Sequence, residues 1–542
     1  MNADRLLELY EQISDASDAI ARLRDVVLEV GVRGKLNEQD EAETVSPEFL
    51  NETTDPEFPA NWRTLNFGKY CNIEGGNQPP KSQFVDSPRD GYVRLFQIRD
   101  LGERPVPVFI PETSTKRFSV DGEILIGRYG ASVGKVFWAQ NGAYNVALAK
   151  FIFPESAFLP DFAFRLLKSS FFQKALEGAS RTAQAGFNKG DLAHIDFPLP
   201  PLAEQHRIVA KVDELMALCD QLEQARAGRE AVRDRLTTAS LARLTAPDTD
   251  ADTFQSHARF ALQSLPTLTT RPDQIKTLRQ TILNLAVQGK LVEQDGTDEP
   301  AAELLTRIRQ EKATLGIRLR PDVDDVTDLP FALPRAWALT SIGEVCSKTG
   351  SGSTPRGGKE VYTDKGVPFF RSQNIYDDGL RLDEVALISA EIHERMSGTA
   401  VKPADLLLNI TGGSMGRCCR VPNDFDEANV SQHVAIIRPA ITGMSDFLHR
   451  LVLSPYFQAF IFGEQTGAGR GGLPKNRMDR IAVALPPLAE QHRIVAKVDA
   501  LMALCYQLEA SLTTTATTRS KLLGALLHEA LEPAADELEA AE

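Results

Sequence analysis

The chain is poor in the residues that a metalloenzyme or a disulfide scaffold would need. Its 542 residues include six cysteines and eight histidines. Cys71, Cys219, Cys346, Cys418, Cys419 and Cys505 show no CxxC spacing and no disulfide-scaffold density, so a reduced cytoplasm is the expected setting. No run of 18 apolar residues occurs, so no membrane span is expected. The opening stretch, MNADRLLELYEQISDASD, lacks a basic region followed by an apolar one, so no signal peptide is expected. Histidines and cysteines are not spaced as metal ligands, and no glycine-rich cofactor fingerprint follows a strand. GASVGK (Gly130–Lys135) resembles a P-loop, but its first glycine is displaced and Val136 follows the lysine. NQPPK (Asn77–Lys81) falls short of the Asn/Asp-Pro-Pro-aromatic motif of amino-methyltransferases, because Gln78 interrupts it and no aromatic follows. No catalytic residue, metal or cofactor is therefore expected on this chain.

What is present is uneven charge. The net charge is −14, which at first argues against nucleic acid. Residues 60–198 nevertheless hold 17 basic and 13 acidic residues, and residues 335–484 hold 17 and 16. The excess acid lies in connectors such as Asp40–Glu57 and Pro321–Asp328, and in the tail Glu532–Glu542. Two mildly basic blocks in an acidic frame are compatible with DNA, with a partner supplying much of the phosphate attraction.

The chain is also a tandem repeat. Leu199–Glu223 and Leu485–Glu509 differ only at Glu214/Ala500 and Asp220/Tyr506. Leu23–Asp40 (LRDVVLEVGVRGKLNEQD) likewise matches Leu278–Asp295 (LRQTILNLAVQGKLVEQD). Between these anchors the halves diverge but keep landmarks. Trp62, Gly68 and Cys71 match Trp337, Gly343 and Cys346; GASVGK matches GGSMGR (Gly412–Arg417); Asn145-Val146 is set against Asn429-Val430. SSFFQ (Ser169–Gln173) matches SPYFQ (Ser454–Gln458), and FNKGDL (Phe187–Leu192) matches LPKNRM (Leu473–Met478). Ile208, Val212, Leu215, Cys219 and Leu222 recur at alternating 4- and 3-residue steps, as do Ile494, Val498, Leu501, Cys505 and Leu508. That is a coiled-coil seam on a long helix, unbroken until Gly228 in the first copy. The divergent blocks, with stretches such as Tyr92–Leu101 and Glu123–Gly130, read as short strands and turns in mixed α/β globules.

PLPPLAEQHRIVAKVD, occurring twice after two dissimilar blocks, resembles the specificity subunits of type I restriction–modification systems, over about residues 1–530. The resemblance implies a mixed α/β chain with two target recognition domains and two long helices paired as an antiparallel coiled coil. The order implied is a helical segment (1–40), the first recognition domain (41–200), a central helix (201–245), a linker with a second helical repeat (246–295), the second recognition domain (296–486), a last helix (487–530) and an acidic tail (531–542). It also implies a non-catalytic, cytoplasmic subunit that reads a bipartite double-stranded DNA target. Two methyltransferase subunits and motor-nuclease subunits would dock on it, and S-adenosylmethionine, ATP and Mg would sit on those partners.

Within that frame, the glycine-rich stretches Gly75–Ser82 and Gly350–Gly358 occupy matching places. They offer Asn77, Gln78, Lys81 and Ser82 in the first block, and Ser353, Arg356 and Lys359 in the second, to phosphates or base edges. Arg94, Gln97 and Arg99, with Arg371, Gln373 and Asn374 opposite, carry side chains suited to bases. Arg128, Ser132 and Lys135, like Asn409, Ser414 and Arg417, sit in glycine-rich loops. Arg181, Gln184, Asn188 and Lys189 precede the last strand, as do Arg470, Lys475 and Asn476. Near-identity in the repeated helix fits two identical partners docking at Glu204, Gln205, Arg207 and Lys211 and at Glu490, Gln491, Arg493 and Lys497. His206, His492 and the cysteines read as packing or surface residues. The alternatives are a stand-alone DNA-modifying enzyme, which would need a catalytic block this chain has no room for, and a helical interaction protein, which would not need two divergent loop-rich blocks.

Overall fold

A computed structural model describes residues 16, 18–102, 104–179, 186–246, 250–317, 329–463 and 472–531. Contacts divide the chain into two compact units, residues 1–229 with 516–542 and residues 230–515.

In the first unit an α/β domain is closed by strands Arg63–Asn66 and Asp196–Leu199, antiparallel to each other. Between them lie two four-stranded sheets. One has the order Asn72–Gly75, Leu148–Ile152, Ile124–Gly127, Val136–Trp138, all antiparallel. The other has the order Phe109–Pro111, Tyr92–Phe96, Gly142–Tyr144, Phe118–Ser119, with Tyr92–Phe96 parallel to Gly142–Tyr144. Strand Ile124–Gly127 is buried along its whole length because its alternate side chains serve two cores. Ile124 and Ile126 pack with Phe151, Phe162 and Phe172 of the helical side. Leu125 packs with Phe96 and Tyr144 of the second sheet.

The second unit repeats this plan. Strands Ala338–Ser341 and Ala482–Leu485 close the domain. One sheet runs Cys346–Ser351, Val434–Pro439, Leu406–Asn409, Cys418–Arg420. A five-stranded sheet contains Val367–Phe370 parallel to Ala428–Val430. Leu406 and Leu408 face the helical core and Leu407 the other one. The mixed α/β class and the duplicated design therefore stand as expected.

Each half ends on a long helix, Leu202–Leu244 with 43 residues and Leu488–Leu531 with 44. Both begin directly after the proline pair, as the sequence suggests. Gly228 does not end the first one, which runs on to Leu244. Helix Ala19–Val32 in the first unit and helix Pro272–Val287 in the second are the short repeated helices. Each covers the start of the apolar seam of its own unit. A Cβ on Gly31 would sit 3.0 Å from Val212 and 3.4 Å from Ile208. Ile494, Val498 and Cys505 share one cluster with Ile275, Ile282 and Ala286. Ile208 and Val212 also belong to the core of the first α/β domain, so the start of the seam anchors that domain to its helix. Arg24 ties the first pair of helices together at Asp220 (2.6 Å) and Glu223 (2.7 Å). Arg279 does so in the second, reaching Glu509 at 2.6 Å and stacking over Tyr506 at 4.2 Å. Among the described residues no helix is long and apolar enough to cross a membrane.

Candidate nucleic-acid interface

Hydrogen bonds, mostly of the backbone, draw five loops of each α/β domain together. In the first, Gly76 N donates to Leu148 O (2.9 Å) and Asn77 N to Tyr144 O (3.2 Å); in the second, Gly352 N donates to Val434 O (2.9 Å) and Ser353 N to Val430 O (3.1 Å). The parallel strands end in the same way, with Asn145 N on Phe96 O and Ser431 N on Phe370 O, both at 2.9 Å. Arg128 N reaches Ala147 O (2.8 Å), and Ile410 N reaches His433 O (3.0 Å). The GASVGK and GGSMGR loops are each clasped by a glutamine. Gln173 Nε2 donates to Gly134 O, and Gln458 Nε2 to Gly416 O, both at 2.9 Å. With Arg128 Nε on Phe187 O (2.7 Å) and Leu473 N on Ile410 O (3.0 Å), the loops 76–82, 97–101, 128–134, 145–147 and 186–189 form one rim, and 352–358, 371–374, 410–416, 431–433 and 472–475 form its copy.

The same bonds correct the alignment of the two halves. Asn145 stands where Ser431 stands, not Asn429, so the sequence match there is two residues out of register. Gln97 corresponds to Arg371, because the backbone N–H of each donates to a side chain three residues on, Asp100 Oδ2 or Asn374 Oδ1, at 3.0 Å. Asn374 is therefore a buried turn cap, with its amide nitrogen on Arg381 O at 3.1 Å, and is withdrawn as a base-reading candidate. Asn409 occupies the place of Gly127 rather than Arg128. It is fully buried and donates to Ser372 O (2.9 Å) and Ser414 Oγ (3.1 Å), so its role too is to hold loops.

The other candidates divide into accessible and engaged residues. Gln78, Lys81, Ser82, Arg99, Lys135, Ser353, Arg356, Gln373 and Arg417 are exposed. Asn188 and Lys189 are exposed at the start of a helical turn, whose Gly190 N donates to Asn188 Oδ1 at 2.7 Å. Asn77, Arg94, Gln97, Ser132, Arg371 and Ser414 are half-buried on the rim. Arg94 lies 4.6 Å over the Phe96 ring, and Arg417 lies 4.8 Å over that of Tyr376. Arg128 Nε donates to Phe187 O at 2.7 Å, so it ties two loops. Lys475 pairs with buried Asp479 at 3.1 Å, and Asn476 Oδ1 accepts from Arg477 N at 3.0 Å. Arg181, Gln184 and Arg470, and the side chain of Lys359, lie outside the described residues.

Four rim residues escaped sequence reasoning. Thr354 donates to Gln432 Oε1. Gln432 Nε2 lies 3.2 Å from His433 Nε2, whose Nδ1 lies 2.7 Å from Thr411 Oγ1. The available signal was the polar triplet Ser431–His433 between two apolar strands.

The docking residues of the repeated helix are mostly used internally. Glu204 and Glu490 are fully buried and accept from Trp62 Nε1 (2.7 Å) and Trp337 Nε1 (3.0 Å). Burial raises both carboxyls above the ordinary glutamate range, against the pull of those indoles and of Arg207 and Arg493. Gln205 is buried and bonds Ala157 O, Pro200 O and Leu159 N at 2.7–2.9 Å; Gln491, also buried, donates to Pro486 O at 2.9 Å. Arg207 makes a two-armed pair with Glu43 (2.6 and 2.7 Å), and Arg493 makes one with Asp298 (3.1 and 2.6 Å). A buried side chain cannot meet a partner, so Glu204, Gln205, Glu490 and Gln491 are withdrawn as docking residues. Lys497 remains exposed and Lys211 half-buried. The cysteines are all buried, and burial raises the Cys71 and Cys346 thiols to about 12. Among the described residues no cluster of His, Cys, Asp or Glu is arranged to hold a metal.

Residues 59–228 and 334–517, more than half of the chain, match the type I restriction modification DNA specificity domain. The EcoAI type I restriction enzyme specificity subunit of Escherichia coli is 29% identical over 348 residues, covering 62% of this chain and 58% of that protein. This chain thus spans less than two thirds of that relative's length. The EcoEI specificity subunit of Escherichia coli is 26% identical over 579 aligned positions, 94% of each chain. A solved chain from work on complex assembly and conformational transition of the type I R-M system aligns with a TM-score of 0.51 at 18% identity, covering 88% of this chain and 98% of that one. That likeness is one of fold.

Proposed function

Because this chain belongs to the type I restriction modification DNA specificity family, we propose that its two recognition domains read the two halves of an interrupted DNA target for a type I restriction–modification complex. It acts as the specificity subunit and leaves methyl transfer and cleavage to its partners. The observation that supports this best is the paired rim: two copies of one backbone arrangement, held by equivalent hydrogen bonds, carry different side chains at their tips. A duplicated scaffold with divergent tips suits two different half-sites. On this reading Lys81, Arg99, Lys135 and Lys189 in the first domain, with Arg356, Arg371, Gln373 and Arg417 in the second, face phosphates and base edges. S-adenosylmethionine, ATP and Mg belong to the partner subunits. Two methyltransferase subunits per chain fit the repeated helix, which leaves His206, His492 and Lys497 exposed and Lys211 half-buried. The setting is cytoplasmic.

The test is a block exchange. Residues 60–198 are replaced by the same block of a relative, and the methylated targets of the assembled complex are mapped by long-read sequencing. One half-site should change and the other should stay. If both change, or neither, modular reading fails.

A further inference from the structure

In each recognition domain the second residue beyond the second parallel strand stands on the rim, and its identity differs between the halves. Asn145 and Ser431 fix the place, through their equivalent bonds to Phe96 and Phe370. The next residue is Val146 in the first domain and Gln432 in the second, and both are exposed.

Gln432 is held from both sides. Thr354, in the loop that also carries Ser353 and Arg356, donates to its Oε1. Its Nε2 faces His433 Nε2 at 3.2 Å. An amide nitrogen only donates, so His433 Nε2 is the acceptor and the ring proton lies on Nδ1, directed to Thr411 Oγ1 at 2.7 Å. These contacts occupy one lone pair of Oε1 and one N–H of Nε2. One acceptor site and one donor site of the same planar amide remain. That pair matches adenine, whose major-groove edge offers the N6 amino group as donor and N7 as acceptor. The Val146 side chain has neither donor nor acceptor. It is 37% exposed on the same rim position, and apolar contact with the thymine methyl is the readout open to it.

We infer that residues 146 and 432 are one base-reading position used twice: Gln432 reads an adenine in the second half-site and Val146 packs on a thymine methyl in the first. Thr354 and His433 are positioning residues for Gln432. The inference rests on the DNA-reading function proposed above.

The experiment uses the full chain assembled with its methyltransferase subunits, S-adenosylmethionine and a pool of duplexes randomised across the target. The readout is the methylated fraction at each sequence. Gln432→Val should lower adenine preference at one base pair of the second half-site by on the order of 10- to 100-fold, leaving the first half-site untouched. Gln432→Glu keeps the shape but only accepts, so preference there should move to cytosine, whose N4 amino group donates. Val146→Gln should move one position of the first half-site from thymine to adenine. Thr354→Ala should weaken adenine preference without changing the base preferred. Three results would overturn the inference: preference unchanged in a Gln432 variant that still methylates, uniform loss over all sequences, or an altered base outside the expected half-site. Should the Gln432 variants fail to assemble, Val146→Gln decides on its own, since it lies in the other domain. Failure of the underlying reading looks different: the parent complex would show no interrupted target, or replacing residues 335–484 would leave both half-sites as they were.

Discussion

At residue 127 the first recognition domain has a glycine, and at the equivalent residue 409 the second has a buried asparagine. A Cβ on Gly127 would stand 2.0 Å from Ser132 O, so the first loop closes backbone on backbone. In the second, the Asn409 amide fills that space and ties Ser372 to Ser414. Both solutions leave the next loop in the same place, clasped by Gln173 or Gln458. The comparison separates two kinds of position. Those that hold the rim change chemistry while the closure survives, as Gly127 and Asn409 do, whereas those at its tips, such as Val146 and Gln432, change what is presented.

Gly76 and Gly352 test the claim that the rim is one design used twice, and they should give the largest effect. A Cβ would lie 2.0 Å from Asn145 O at Gly76 and 1.9 Å from Val430 O at Gly352. Backbone oxygens at the end of a paired strand cannot step aside as a flexible side chain can. Gly76→Ala and Gly352→Ala should each destabilise their own unit by about 3 kcal/mol and abolish reading of one half-site. Thermal unfolding and a methylation map check both. Unequal losses would mean that the two rims are not energetically equivalent.

The repeat, the landmark pairs and the α/β texture were legible because duplicated anchors and two-residue alternation survive divergence. The register between halves was not. Asn145 and Asn429 look alike as letters, but backbone bonds set equivalence, and they pair Asn145 with Ser431. The base-reading candidates Asn374 and Asn409 failed for a related reason. A polar amide is as useful for capping a buried turn as for meeting a base. The docking candidates Glu204, Gln205, Glu490 and Gln491 failed because Glu and Gln at a helix start read as surface. The counter-signal was Trp62 and Trp337: a buried indole N–H needs an acceptor, and Glu204 and Glu490 are repeated with them.

The internal use of the EQHR segment gives a smaller effect. Arg207→Glu and Arg493→Glu would place like charge beside Glu43 and Asp298. Both arginines are partly exposed, so each reversal should cost about 1 kcal/mol. Urea midpoints should fall for each single variant, and Glu43→Arg should restore much of the first loss. If stability is untouched while partner assembly is lost, the helix start is a docking surface after all.

The smallest effect concerns the buried carboxyls and depends on pH. Burial raises Glu204 and Glu490 above the ordinary glutamate value, so the folded chain holds these protons more tightly than the unfolded one. Their contribution to stability is then fully present below the ordinary value of 4.5 and is lost as pH rises through the folded value. Gln cannot ionise yet can still accept from Trp62 or Trp337. Glu204→Gln and Glu490→Gln should therefore change stability by under about 1 kcal/mol at neutral pH, where a weaker hydrogen bond offsets the relief of a buried charge. Each should also flatten the fall in stability above pH 4.5, so that the variant gains on the parent as pH rises. Denaturation midpoints between acid and neutral pH measure the slope. Equal flattening by the two variants would make the Trp–Glu pairs equivalent as well as superposable. A steeper slope in either would mean that the nearby arginine outweighs burial in that half, with the carboxylate stabilised as the anion.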